Sequence, residues 1–154
     1  MQAYPHHYVA AAHGAVVGMV SLQAPGLPAI ETAAPPEFDG PGGVWSPESM
    51  LVAAVADCFI LTFRSIARAA HFEWLGVECR VDGVLDRVSG VARFTRFSTN
   101  ARLTVAPGSD GGKARTLLER AEKLCLISNS LSGERHLELE IVNADAWRPL
   151  PPPS

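Results

Sequence analysis

The sequence predicts an α+β fold in which antiparallel sheet packs on two long apolar helices. Three observations carry that prediction. Two segments space their apolar residues at the helical period, the strand-like segments come in pairs joined by short turns, and the helices lie too far apart for simple βαβ units. A chain of 154 residues suits one domain, placed over 1–145, and the Pro-rich residues 146–154 read as a C-terminal tail. That tail is too short to claim as a proline-motif ligand.

In chain order, 4–12 and 15–23 read as a β-hairpin turning at His13-Gly14. Residues 24–43, rich in Pro and Gly, read as one long loop. Ser46-Pro47-Glu48 announces a helix: Ser46 caps free N–H groups, Pro47 suits the first turn, and Glu48 favours the positive end of the dipole. Apolar residues at 51, 54, 55, 58, 59, 62 and 66 sustain this helix to about His71, in a stripe broad enough to predict a central, mostly buried element. Strands over 76–87 and 91–104 follow, turning near Ser89-Gly90, although both faces of the second mix polar and apolar residues. After a loop at 105–112, a second helix is expected over 113–127 and a last strand over 136–143. One copy would struggle to cover both helices and every strand edge, which points to a homodimer.

The charge is unevenly placed. Residues 1–63 hold no Lys or Arg and five acids (Glu31, Glu37, Asp39, Glu48, Asp57), whereas 64–154 hold all 13 basic residues against 11 acids. No Lys/Arg-rich block suggests nucleic acid, and the apolar stretch 51–56 is stopped by Asp57, far short of the ~20 residues of a membrane span. The N-terminus lacks a basic n-region and a full apolar h-region, so no signal peptide is expected. Three widely spaced cysteines do not resemble an extracellular disulfide framework, and the expected compartment is the cytoplasm.

Chemistry centres on Cys58, Cys125 and Glu48. A cysteine on an apolar helical face is either a small buried hydrophobe or a reactive thiol, and reactivity needs a group that stabilises the thiolate. Cys58 sits some three turns into its helix, where the dipole helps little, so a partner from elsewhere is required. Glu48 lies ten residues earlier, ~15 Å along the same helix, and cannot touch Cys58 of its own chain. It is either a first-turn residue favoured by the dipole or an acid offered to a second subunit across a twofold axis. Cys125, near the end of the second helix, is either core packing or a thiol that attacks an oxidised Cys58, and Cys79 reads as structural. The cysteines show no C-x₂₋₄-C spacing, and adjacent His6 and His7 point to opposite strand faces, so no metal site is expected.

Together "SPESMLVAAVADCF" (46–59) and "CLISNSL" (125–131) resemble the two signature regions of the OsmC/Ohr family of hydroperoxide-reducing proteins, over roughly 4–143. The resemblance implies an intertwined homodimer with active sites at the subunit interface and a thiol peroxidase needing no metal, haem or flavin. Cys58 would become a sulfenic acid on meeting an organic hydroperoxide, and Cys125 would condense with it to a disulfide. A dihydrolipoyl-type or thioredoxin-like dithiol would restore both. The alternative is a non-enzymatic member that binds small molecules or senses redox state. Two departures stand out. The family's N-terminal arginine has no counterpart before Arg64, which leaves Arg64, Arg93, Arg96, His6, His7 and His13 as candidate cations, and Leu126 replaces a proline.

Overall fold

A computed structural model describes residues 2–146. The Pro-rich tail, from residue 147 on, lies outside the described residues. The chain divides between Leu51 and Val52 into two compact units.

The first unit carries a three-stranded antiparallel sheet, β1 (Ala11–Gly14), β2 (Val20–Gln23) and β3 (Ile30–Thr32), in that spatial order. The expected hairpin exists, but it is shorter and turns later. Ala11 pairs with Gln23 and Gly14 with Val20, so His13-Gly14 lies inside a strand rather than at the turn. The segment read as one long loop also holds β3 and a 3-10 turn at Pro36–Phe38. A strand of three residues offers too few alternations to announce itself. Gly40 is required where the loop folds back: a Cβ there would lie 1.6 Å from the Ala34 carbonyl oxygen.

Helix α1 (Pro47–Ala69) starts where the sequence places it. The Ser46 hydroxyl accepts from the Ser49 N–H at 3.2 Å while the Ser46 N–H donates back to the Ser49 hydroxyl at 2.9 Å, a reciprocal cap closed by serine. By length and composition α1 would suffice to cross a membrane, yet Phe59, Phe63 and Ala67 enter the core of the second unit. The helix is not mostly buried within one chain: Val55, Phe59, Phe63 and Ala67 are its only buried residues.

The second unit is built on β4 (Gly76–Val88) and β5 (Val91–Val105), a long antiparallel pair whose tight turn places Ser89 and Gly90 at φ 52° and 84°. A bulge between Val84 and Leu85 pairs them with Arg96 and Phe94 and skips Thr95. That slip stacks Phe94 on Phe97, with ring centroids 5.2 Å apart, and it explains why neither face of β5 looked uniformly apolar in the sequence. The third strand, β6 (Glu134–Asn143), pairs with β5 in parallel, contrary to the all-antiparallel expectation. A parallel neighbour needs a crossover, and α2 (Gly111–Leu124) with the one-turn α3 (Leu126–Asn129) provides it. A βαβ unit is thus present after all. Helix α2 ends earlier than predicted, at Leu124, so Cys125 sits at the break between two helices. Phe59 and Phe63 of α1, Leu103 and Val105 of β5, and Leu117 and Leu118 of α2 lead the core.

Candidate active site

Cys58 is half-buried beside the buried stripe of α1, four residues before Thr62, whose hydroxyl lies 3.9 Å from its sulfur. Burial is the largest single influence on this thiol and opposes its ionisation. The backbone N–H of Ile127, the thiol of Cys125, the hydroxyl of Thr62 and the backbone N–H of Leu126 together outweigh it, and the net effect holds Cys58 below the usual thiol range. The structure therefore brings Cys58 and Cys125 together. It stabilises the thiolate by uncharged donors, and no charged side chain among the described residues contributes. The candidate cations Arg64, Arg93 and Arg96 are all exposed. On β1, Ala12 faces the first unit's cavity, so its neighbour His13 points to the other side of the strand.

Cys125 is fully buried, and burial, together with the neighbouring Cys58, pushes its thiol up against the opposing hydrogen bonds from Ser128. Cys79 faces the core, and burial, with a smaller contribution from Cys125, pushes it up to about 12. Cys58, the only one of the three held below the ordinary thiol range, thus ionises before Cys125 and Cys79.

The residues after Cys125 hold it in place. The Ser128 hydroxyl donates to the Cys125 sulfur at 3.2 Å, and the Asn129 N–H donates to the Cys125 carbonyl at 3.0 Å. The Asn129 side chain donates to the Lys123 carbonyl at 3.1 Å and accepts from Arg135 at 2.8 Å, while Arg135 also pairs with Glu122 at 3.3 Å. The S-N dipeptide of the second motif is therefore a clamp on the helix break. Sequence reasoning missed Ser128, Asn129 and Arg135 as site residues, although the motif already contained the first two.

Glu48 lies in the first unit, against an open, largely apolar cavity of about 850 Å³ whose walls include Val20, Leu22, Phe38, Met50 and Leu51. Its Oε2 is the only buried side-chain oxygen or nitrogen among the described residues without a hydrogen-bond partner. Because α1 is unbroken, Glu48 stays ~15 Å from Cys58 along the helix and does not join it within the chain. Among the described residues no group of three or more His, Cys, Asp or Glu is arranged to hold a metal ion.

Residues 40–140 match the family of OsmC-like proteins. The uncharacterized protein YmaD of Bacillus subtilis is 28% identical over 109 residues, 69% of this chain and 73% of that protein. Peroxiredoxin OsmC of Escherichia coli is 26% identical over 104 residues, covering 68% of this chain and 71% of its own. Among solved structures, an organic hydroperoxide resistance protein OsmC from Legionella pneumophila superposes with a TM-score of 0.71 at 25% identity, covering 90% of this chain and 98% of the other. The match spans Glu48, Cys58 and Cys125 and agrees with the α+β architecture that the elements build, and the chain belongs to the OsmC family.

Proposed function

We propose that the chain is a thiol-dependent peroxidase that reduces organic hydroperoxides, with Cys58 as the attacking thiol and Cys125 as the resolving one. The single observation that carries this reading is the accessible Cys58 thiol, favoured as thiolate and set beside a second, buried thiol. In the first step the Cys58 thiolate attacks the terminal peroxide oxygen. The O–O bond breaks, the alkoxide takes a proton from solvent and leaves as alcohol, and Cys58 becomes a sulfenic acid. Cys125 then attacks the Cys58 sulfur, an S–S bond replaces the S–O bond, and water departs. A dithiol reductant of dihydrolipoyl or thioredoxin type returns both thiols by exchange.

Glu48 enters this reading from a second copy of the chain. Its buried oxygen has no donor among the described residues, and a buried polar atom so placed is costly to leave unpaired. A homodimer would also cover the large apolar side chains left exposed in the first unit, Tyr8, Val16, Val17 and Trp45 among them. We take 1–145 as one functional domain with 146–154 as its tail, working in the cytoplasm where three unpaired thiols stay reduced.

Thiol titration before and after one equivalent of cumene hydroperoxide tests the proposal. Rapid loss of two thiols per chain, abolished by Cys58→Ser, is the expected result, and unchanged thiols after minutes of exposure would sink it. That outcome would favour the alternative of a non-catalytic binding or redox-sensing protein, a reading supported by the absence of any charged group acting on Cys58 among the described residues.

A further inference from the structure

Ser128 contributes nothing to the core or to a sheet, yet it is only 7% exposed, and its hydroxyl is spent on a sulfur that is 0% exposed. We propose that Ser128 is the positioning residue of the resolving thiol: its hydroxyl holds the Cys125 sulfur toward Cys58 and stabilises that sulfur whenever it carries negative charge. This rests on the reading of Cys125 as the resolving thiol and adds to it a device for ordering the two steps.

The geometry is over-determined. Cys125 occupies the junction between α2 and α3 with extended backbone (φ −62°, ψ 112°), and Ser128 lies one helical turn further on. The Asn129 N–H holds the Cys125 carbonyl, the Asn129 side chain holds the end of α2, and Arg135 ties Asn129 to Glu122. With the turn fixed from both sides, the Ser128 hydroxyl is directed at the sulfur rather than at solvent. A hydrogen bond from an O–H group is about twice as strong to an anion as to a neutral acceptor, so this bond strengthens at the moment Cys125 loses its proton.

The order of events follows from charge. Cys58 on α1 is the titratable group that acts on Cys125, while Cys79 on β4, itself pushed up to about 12 by burial and by Cys125, stays neutral. Glu122 and Lys123 in the last turn of α2 precede it, and Glu122 is paired with Arg135. While Cys58 is a thiolate, its charge opposes a second one on Cys125. Once Cys58 is a neutral sulfenic acid that opposition is gone, and the Ser128 donor remains. Cys125 then gives up its proton, its electron pair forms the S–S bond, and the Cys58 S–O bond breaks with hydroxide leaving as water. In the return exchange a dithiol reductant attacks Cys58 and expels Cys125 as a thiolate, which the same hydroxyl receives.

The test compares Ser128→Ala with Ser128→Thr, which keeps a hydroxyl. Mixed with cumene hydroperoxide, Ser128→Ala is expected to oxidise Cys58 within about twofold of the unmodified rate and to close the disulfide about tenfold more slowly, as the loss of a hydrogen bond to a charged group implies. Dimedone-trapped sulfenic acid accumulates accordingly, and Ser128→Thr restores closure. A second readout does not depend on peroxidase activity. With Cys58→Ser and Cys79→Ser, Cys125 is the only thiol, and the ultraviolet absorbance of its thiolate is followed against pH. Adding Ser128→Ala is expected to raise the midpoint by about one pH unit, with Ser128→Thr returning it. Equal closure rates, an unmoved midpoint, or a threonine that restores neither would overturn the role of Ser128. A protein whose Cys58 ignores peroxide while the midpoint still moves would instead overturn the peroxidase reading.

Discussion

The surroundings of Cys58 and of Glu48 differ in completeness, although one helix carries both residues. Around Cys58 the second unit supplies its own donors: two backbone N–H groups, a hydroxyl and a thiol, backed by a core of Phe59, Phe63, Leu103 and Leu118. Around Glu48 the first unit offers an apolar wall, a three-stranded sheet of short strands and an unpaired carboxylate oxygen. The first unit also lacks any Lys or Arg, so no arginine or lysine within it can answer that oxygen. One region is finished by its own chain. The other leaves a buried oxygen without a donor among the described residues.

The largest effect expected of that contrast is in thiol reactivity. Cys58 is held below the ordinary thiol range and Cys79 is pushed up to about 12. At neutral pH the thiolate fraction of Cys58 should therefore exceed that of Cys79 roughly a thousandfold or more, each unit being a factor of ten. Iodoacetamide mapping against pH checks this, and early modification of Cys79 would break the picture. The sign of the linkage follows. Cys79 keeps its proton in the folded chain well above the pH at which it ionises in the unfolded one, so it removes stability as pH rises through the unfolded value. Cys58 works the other way, adding stability at high pH and losing it as pH falls through its lowered folded value.

Next in size is the core. Phe63→Ala is expected to cost about 3–5 kcal/mol in chemical denaturation, because it opens a cavity among fully buried side chains. Phe38→Ala, at a residue 51% exposed on the first unit, is expected to change stability by less than about 0.5 kcal/mol. Equal costs would erase the distinction between the two regions. Smaller again is Glu48→Gln, which keeps the shape and removes the charge. If a second copy supplies the missing donor, this variant should oxidise Cys58 about tenfold more slowly and associate more weakly in sedimentation equilibrium, as for truncating one side of a buried charged pair. A variant that matches the original in both would leave Glu48 as a first-turn residue only. The smallest effect is Ser46→Ala, about 1 kcal/mol for the lost cap of α1, read from the denaturation midpoint.

The same contrast governs what the sequence disclosed. Helix α1, the β4–β5 pair and its turn were legible because their periods run for many residues and Ser46, Pro47, Ser89 and Gly90 punctuate them. The three short strands of the first unit were partly legible at best, since three or four residues hold too little alternation to fix a register. The parallel pairing of β6 was hidden because pairing direction depends on the path of the crossover and not on the strand's own residues. At the site, spacing and resemblance singled out Cys58, Cys125 and Glu48 as candidates, and the structure brings the first two together. The lowering of the Cys58 thiol left no such trace. The candidate cations were side chains, whereas the donors to Cys58 include the backbone N–H groups of Ile127 and Leu126, which leave no mark in residue identity.

The central claim, that Cys58 and Cys125 form one redox pair, is tested most directly by peptide mapping. The protein is treated with one equivalent of cumene hydroperoxide, blocked with an alkylating agent, digested and weighed. The account predicts a Cys58–Cys125 peptide pair lighter by two hydrogens within a single chain, with Cys79 recovered as alkylated thiol. Cys58 recovered unoxidised, or joined to Cys79 instead, would contradict it.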